Sequence, residues 1–211
     1  MQVLHTLETR LMNSIRLFRQ IITLIFSASL ISLACNTHAA SISNMQVYIS
    51  PDEYSHPILL QFPWGPGEWV YQGTTVEPIA ENMLQDAFGA VAICQGVQKS
   101  KSLVWLRPSL FFNPQVGVYY GTVLAHVYDG KGKYINKYEG ESKVQGSFFF
   151  SRLENITESY RVAMGDLITK LKADNALTET IAADFVNSEE YASCSQVPNL
   201  PSNLPNSALK K

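Results

Sequence analysis

Histidine and cysteine are scarce in this chain, four and three among 211 residues. His5 and His38 fall in the N-terminal stretch read below as a leader, which leaves His56 and His126. Hydrolytic or metal-assisted chemistry needs titratable or metal-binding side chains that converge, and two isolated histidines offer little of that. No Gly-x-Ser-x-Gly, His-Glu-x-x-His, phosphate loop or dinucleotide fingerprint occurs. Runs of lysine and arginine are missing too, which argues against nucleic acid as a partner, because phosphate neutralisation demands clustered cations. Internal repeats are absent, and no apolar run reaches the ~20 residues of a spanning helix. The expectation is a non-catalytic protein with no cofactor and no metal site.

What is present begins with a leader. Arg10, Arg16 and Arg19 form a basic opening, and residues 21–34 (IITLIFSASLISLA) follow as an uncharged apolar run. Thr37-His38-Ala39 is a small-residue cleavage pattern, so residues 1–39 read as a secretory signal, with Met1 or Met12 as the initiator. An uncleaved anchor is the alternative. Cys35 ends the apolar run and is a candidate lipidation site. Ala34 before it suits a lipoprotein signal, whereas Ser32 departs from the usual leucine. Lipidation would place the chain on a membrane face, and cleavage near Ala39 would leave it in the periplasm. Removing the leader takes away three basic residues and one acidic one, which moves the formal charge from −2 to −4.

The mature part is organised around residues 102–146. Side chains from Val116 to Tyr128 alternate between two faces, both rich in β-branched and aromatic residues, which predicts a central strand. Asn113-Pro114 opens a turn before it. Asp129-Gly130 and Lys131-Gly132 predict a hairpin after it, with both glycines at positive φ. Three antiparallel strands in a meander result, the first an edge strand or broken at Pro108. Short runs at 45–49, 58–62 and 90–94 are further strand candidates.

Two helix patterns flank the meander. Val76, Ile79, Ala80, Met83, Leu84, Ala87 and Phe88 share one face of the first. It starts at a Thr74/Glu77 capping box or at Pro78, and it stops at Gly89. Leu153, Ile156, Tyr160, Ala163, Met164, Leu167, Ile168 and Leu171 share one face of the second, behind a Ser151/Glu154 capping box. A short third helix is expected between Leu177 and Val186. The fold class expected is α+β: an antiparallel meander sheet of three to five strands with two amphipathic helices on one face. One domain at 41–186 is expected, with a Pro/Ser/Asn-rich flexible tail at 187–211.

Two features carry site expectations. Export leaves Cys94 and Cys194 as an even pair in an oxidising compartment, which predicts a disulfide. Trp64, Trp69 and Trp105, or Tyr119 and Tyr120, are candidates to line one concave surface for a ligand or partner. The competing reading is that these rings cover the core. Trp64 and Trp69 flank a Gly/Pro loop, which is where exposed rings are most easily presented.

The order of elements behind an export signal resembles the small α/β envelope proteins of Gram-negative bacteria: YajG-like lipoproteins, the lipopolysaccharide-assembly lipoprotein, and auxiliary lipoproteins of envelope ABC transporters. The resemblance spans residues 74–172. Its most suggestive stretch is AHVYDGKGKYINKYEGES at 125–142, which looks like their strand, Asp-Gly-Lys, strand, Tyr-x-Gly hairpin. It implies a periplasmic or outer-membrane-associated assembly or auxiliary factor whose partner is an envelope protein complex or a cell-wall or lipid component. It implies no catalytic residue. The alternative is a periplasmic binding module for a glycan, lipid or cell-wall fragment.

Overall fold

The computed structural model describes residues 43–62, 65–95, 99–182, 194 and 197. The leader with Cys35, Trp64 and most of the 187–211 stretch lie outside them. The strands are β1 (Ser43–Ile49), β2 (Ile58–Leu60), β3 (Glu68–Val70), β4 (Val91–Ile93), β5 (Ser100–Asn113), β6 (Val118–Asp129) and β7 (Tyr134–Gln145). The helices are α1 (Pro51–Ser55), α2 (Gln72–Phe88), α3 (Arg152–Lys172) and α4 (Asn175–Ala182). The class is α+β. The sheet order is β4-β1-β5-β6-β7, and β2 pairs with β3 as a separate hairpin.

The meander β5-β6-β7 is antiparallel, but the sheet as a whole is mixed, which corrects the all-antiparallel expectation. β1 inserts between β4 and β5 and runs parallel to both, pairing Val47 with Ile93 and with Val104. Helix α2 lies in the chain between β1 and β4, and a parallel pair requires a crossover of that kind. Among the described residues four helices stand where two amphipathic helices and a short third were expected, and only α2 and α3 are long. β5 is an internal strand and runs through Pro108 unbroken. β1 ends opposite Leu106, so Pro108 lies where β5 has a single neighbour and a missing N–H disrupts no ladder on that side.

The helices begin differently from their capping patterns. Helix α2 starts at Gln72, and Thr74 and Thr75 donate their hydroxyls back to the Tyr71 carbonyl. Pro78 lies inside this helix rather than at its start. Ser151 makes no capping bond and sits in the left-handed region at φ 52°. Gly89 does close α2, at φ 84°, donating its N–H to the Gln85 carbonyl at 2.9 Å.

One face of the sheet and both long helices form the core. Met45, Val47, Val104, Leu106, Val123 and Val127 meet Val76, Leu84, Tyr160, Ala163, Leu167 and Leu171. Helix α3 lies very close to β6 and β7 because Gly121 and Gly140 face it. A Cβ at Gly140 would collide with the Ala163 carbonyl. Buried Ser142 and Ser159 satisfy each other at 2.8 Å beside Gly121. The exposed edge of β7 is occupied by side chains of α3. Glu141 N–H donates to Asp166 at 3.0 Å, and Lys170 Nζ donates to the Glu139 carbonyl at 2.6 Å. Such contacts block strand addition at an edge.

Candidate docking surface

The end of the molecule near the β5-β6 turn is built from four chain segments. The β2-β3 hairpin alternates: Leu60 and Val70 are buried, while Leu59 and its cross-strand partner Trp69 face out. Trp69 is 61% exposed. Phe111, near the end of β5, also faces out and lies 6.1 Å from Tyr120 across the ladder. Residues 146–151 supply the fourth segment, with Phe149 and Phe150 exposed by 67% and 77%.

This last segment is held firmly. Ser147 Oγ accepts from the N–H groups of Phe149 and Phe150 at 3.1 and 3.3 Å. Asn155 Nδ2 donates to the carbonyls of Ser147 and Phe150, and the Tyr119 hydroxyl donates to the Ser147 carbonyl at 3.3 Å. The Ser151 backbone is strained, a conformation that persists only where surrounding contacts impose it. Rings connect the segment to the core: Tyr119 on Phe112, Phe112 on Phe148, Phe148 stacked on Phe62, and Phe149 edge-on to Phe62 at 4.7 Å. Arg152 lies over the Phe148 ring and pairs with Glu68 at 3.0 Å, which ties the hairpin to the start of α3.

Beside these rings opens an apolar cleft of about 620 Å³ between the hairpin and the end of β5. Leu59, Phe62, Leu110, Phe111 and Phe112 line it, and among the described lining residues Gln61 alone carries a polar side chain.

Among the described residues, Trp69, Trp105, Tyr119 and Tyr120 do not share one surface, and Trp64 lies outside the described residues. Tyr119 is wholly buried on the helix-facing side, where burial raises its phenol pKa and its hydroxyl anchors the Phe149 segment. Tyr120 and Trp105 lie on the opposite face of the sheet. They stand well apart, since Tyr120 is level with Phe111 and Trp105 with His126. Of the described members of the set, Trp69 belongs to the apolar end, exposed rather than covering the core, and Tyr120 borders it beside Phe111. Leu59, Phe111, Phe149 and Phe150 were not singled out from the sequence. The Phe148-Phe149-Phe150 run was the available signal, because three consecutive rings ahead of a helix cannot all turn inward.

Trp105 has a different setting. Tyr48, Trp105, His126, Tyr134 and Tyr128 form a ladder of rings with centroids 5.7–6.5 Å apart. Cys94 packs on this layer and is joined to Cys194, their Cα atoms 5.5 Å apart, and Val197 is buried against Leu103 and Tyr128. The expected disulfide is therefore present in the structure. His126 is 7% exposed, and its Nδ1 has no partner among the described residues. Burial, with lesser contributions from Lys137 and Arg107, holds its pKa below the ordinary 6.5. Among the described residues no group of histidine, cysteine and acidic side chains could hold a metal, and no helix is long and apolar enough to cross a membrane.

No protein-family model matches this chain, and no curated protein matches it. Some solved structures are similar in part. One is the PelC dodecamer from Paraburkholderia phytofirmans, 14% identical over 59% of this chain and 89% of that one, with a TM-score of 0.37. Another is a candidate lipoprotein from Caulobacter crescentus, 14% identical over 51% and 83%, with a TM-score of 0.32. A third is a Xanthomonas campestris protein of family DUF330, 9% identical over 64% and 89%, with a TM-score of 0.37. Likeness at this level carries no argument about function, so the reading below rests on the chain's own geometry.

Proposed function

We propose that this chain is an exported, non-catalytic envelope protein that acts as an assembly or auxiliary factor by docking onto an envelope complex. The observation that carries this is the exposed apolar end formed by Leu59, Trp69, Phe111, Phe149 and Phe150. Aromatic side chains present ~150–250 Å² each. At their observed exposures, the four rings leave roughly 500 Å² of apolar surface in water, within the range of the largest patch on a single chain, which is often functional. The alternative, a binding module for a glycan, lipid or cell-wall fragment, needs stacked exposed rings on one concave face. The scattering of Trp69, Trp105, Tyr119 and Tyr120 gives it less support.

The test is native fractionation of the envelope. Wild type is expected in a high-mass complex, and a Trp69→Ser/Phe150→Ser variant, still exported and folded, is expected to leave it. Wild type found only as free protein, or the variant retained in the complex, would refute the reading.

A further inference from the structure

The apolar end carries a protrusion and a cleft side by side. Phe149 and Phe150 project from a backbone that the side chains of Ser147, Asn155 and Tyr119 hold in place. The cleft of about 620 Å³ begins where they leave off, since Phe62 both touches Phe149 and lines the cleft. We infer that the partner at this surface is a second copy of the chain, with Phe149 and Phe150 of each copy entering the cleft of the other about a two-fold axis. This rests on the docking reading and names its partner.

Three observations support it. The first is fit. A cavity of about 150 Å³ accommodates one benzene ring, so the cleft has room for two phenyl groups. The second is placement. A knob adjacent to its hole lets each copy give and receive at the same contact, which closes after two subunits. A knob far from its hole builds rings or fibres instead. The third is area. Interfaces are roughly 60% apolar, so roughly 500 Å² of apolar surface corresponds to about 800 Å² per partner, the size of a standard stable complex.

The rim also suits protein better than an anionic membrane surface. Beside the rings Arg152 is paired with Glu68 at 3.0 Å. That pairing offsets the Arg152 charge that would otherwise draw the surface onto anionic lipid. Hydrogen bonds within the chain already hold the backbone of the segment, which lowers the ordering cost of association.

The experiment is sedimentation equilibrium of the purified mature chain with its disulfide closed, across micromolar to submillimolar concentration. The expected result is a dimer that does not grow further, weakened at least about tenfold by Phe149→Ser or Phe150→Ser. Both side chains are largely exposed, so the variants should keep the wild-type circular dichroism spectrum. The second measurement mixes Phe150→Cys chains with Phe111→Cys chains and adds a short bismaleimide. Crosslinking is expected in the mixture and not between two Phe150→Cys chains. A monomer at every concentration overturns the self-association while leaving the fractionation result above to stand or fall separately. A larger assembly, or crosslinking that ignores the knob-to-cleft pairing, overturns the two-fold arrangement. Recruitment to anionic vesicles by the monomer would assign the surface to lipid instead.

Discussion

Replacing Gly140 with alanine adds one methyl group at the tightest point of the fold. Its Cβ would lie 2.7 Å from Leu167 Cβ and 2.8 Å from Leu167 N, and it would collide with the Ala163 carbonyl. Ordinary contact starts near 3.4 Å. Two of the three obstacles are helix backbone, so no rotamer change relieves them. Helix α3 must lift from β7 by roughly 1 Å, and a gap of that size forfeits a quarter to a half of each dispersion well along the seam. The seam includes Ile156, Tyr160, Ala163, Met164, Leu167 and Leu171, all essentially buried. Overpacking of this kind costs ~1–3 kcal/mol, and the ~0.5–1 kcal/mol gained by removing a glycine from a strand offsets only part of it. We expect a net loss of about 1 kcal/mol and, at ~2–4 °C per kcal/mol, a fall in Tm of roughly 2–4 °C. Gly165→Ala is the control. There the added Cβ meets only Met83 Cε at 3.8 Å, so the gain in helix propensity should appear as a stabilisation of up to ~1 kcal/mol. Urea and thermal unfolding of both variants check this. A Gly140→Ala midpoint equal to wild type would refute the close-packing argument.

Gly132 holds φ 79° in the β6-β7 loop, whereas Gly130 is not at positive φ, which corrects the expectation for that glycine. Gly132→Val should cost ~1–3 kcal/mol in urea unfolding and Gly130→Ala much less; equal costs would contradict this. Thiol trapping of the unreduced, denatured mature protein should label neither Cys94 nor Cys194. Replacing both with alanine should lower stability by up to ~4–5 kcal/mol for a loop of about 100 residues, and two labelled thiols would end the assignment. His126 is kept neutral in the folded state, so the unfolded chain binds the extra proton first. The stability it contributes is complete above pH ~6.5 and is lost as the pH falls through that value toward its lower folded pKa. His126→Gln should therefore flatten the decline in Tm between pH 7 and 5, and an unchanged slope would count against the buried neutral histidine.

Local pattern determined much of this protein. The two-residue alternation of 116–128 placed β6, and the 3.6-residue stripes placed α2 and α3, because those periods are written in adjacent residues. Compartment and parity pointed to the Cys94–Cys194 bond without any geometry. Tertiary structure decided what depends on distant segments meeting. β1 lies between β4 and β5, a parallel pairing across more than forty residues that no local period encodes. Pro108 is tolerated inside a strand only because β1 stops opposite Leu106. Ser151, a cap by its sequence, is held in a left-handed turn by the bonds around Ser147 and Asn155. The apolar end combines Leu59, Trp69, Phe111 and Phe149, and exposure at such a site follows from which faces the fold covers rather than from how apolar each residue is.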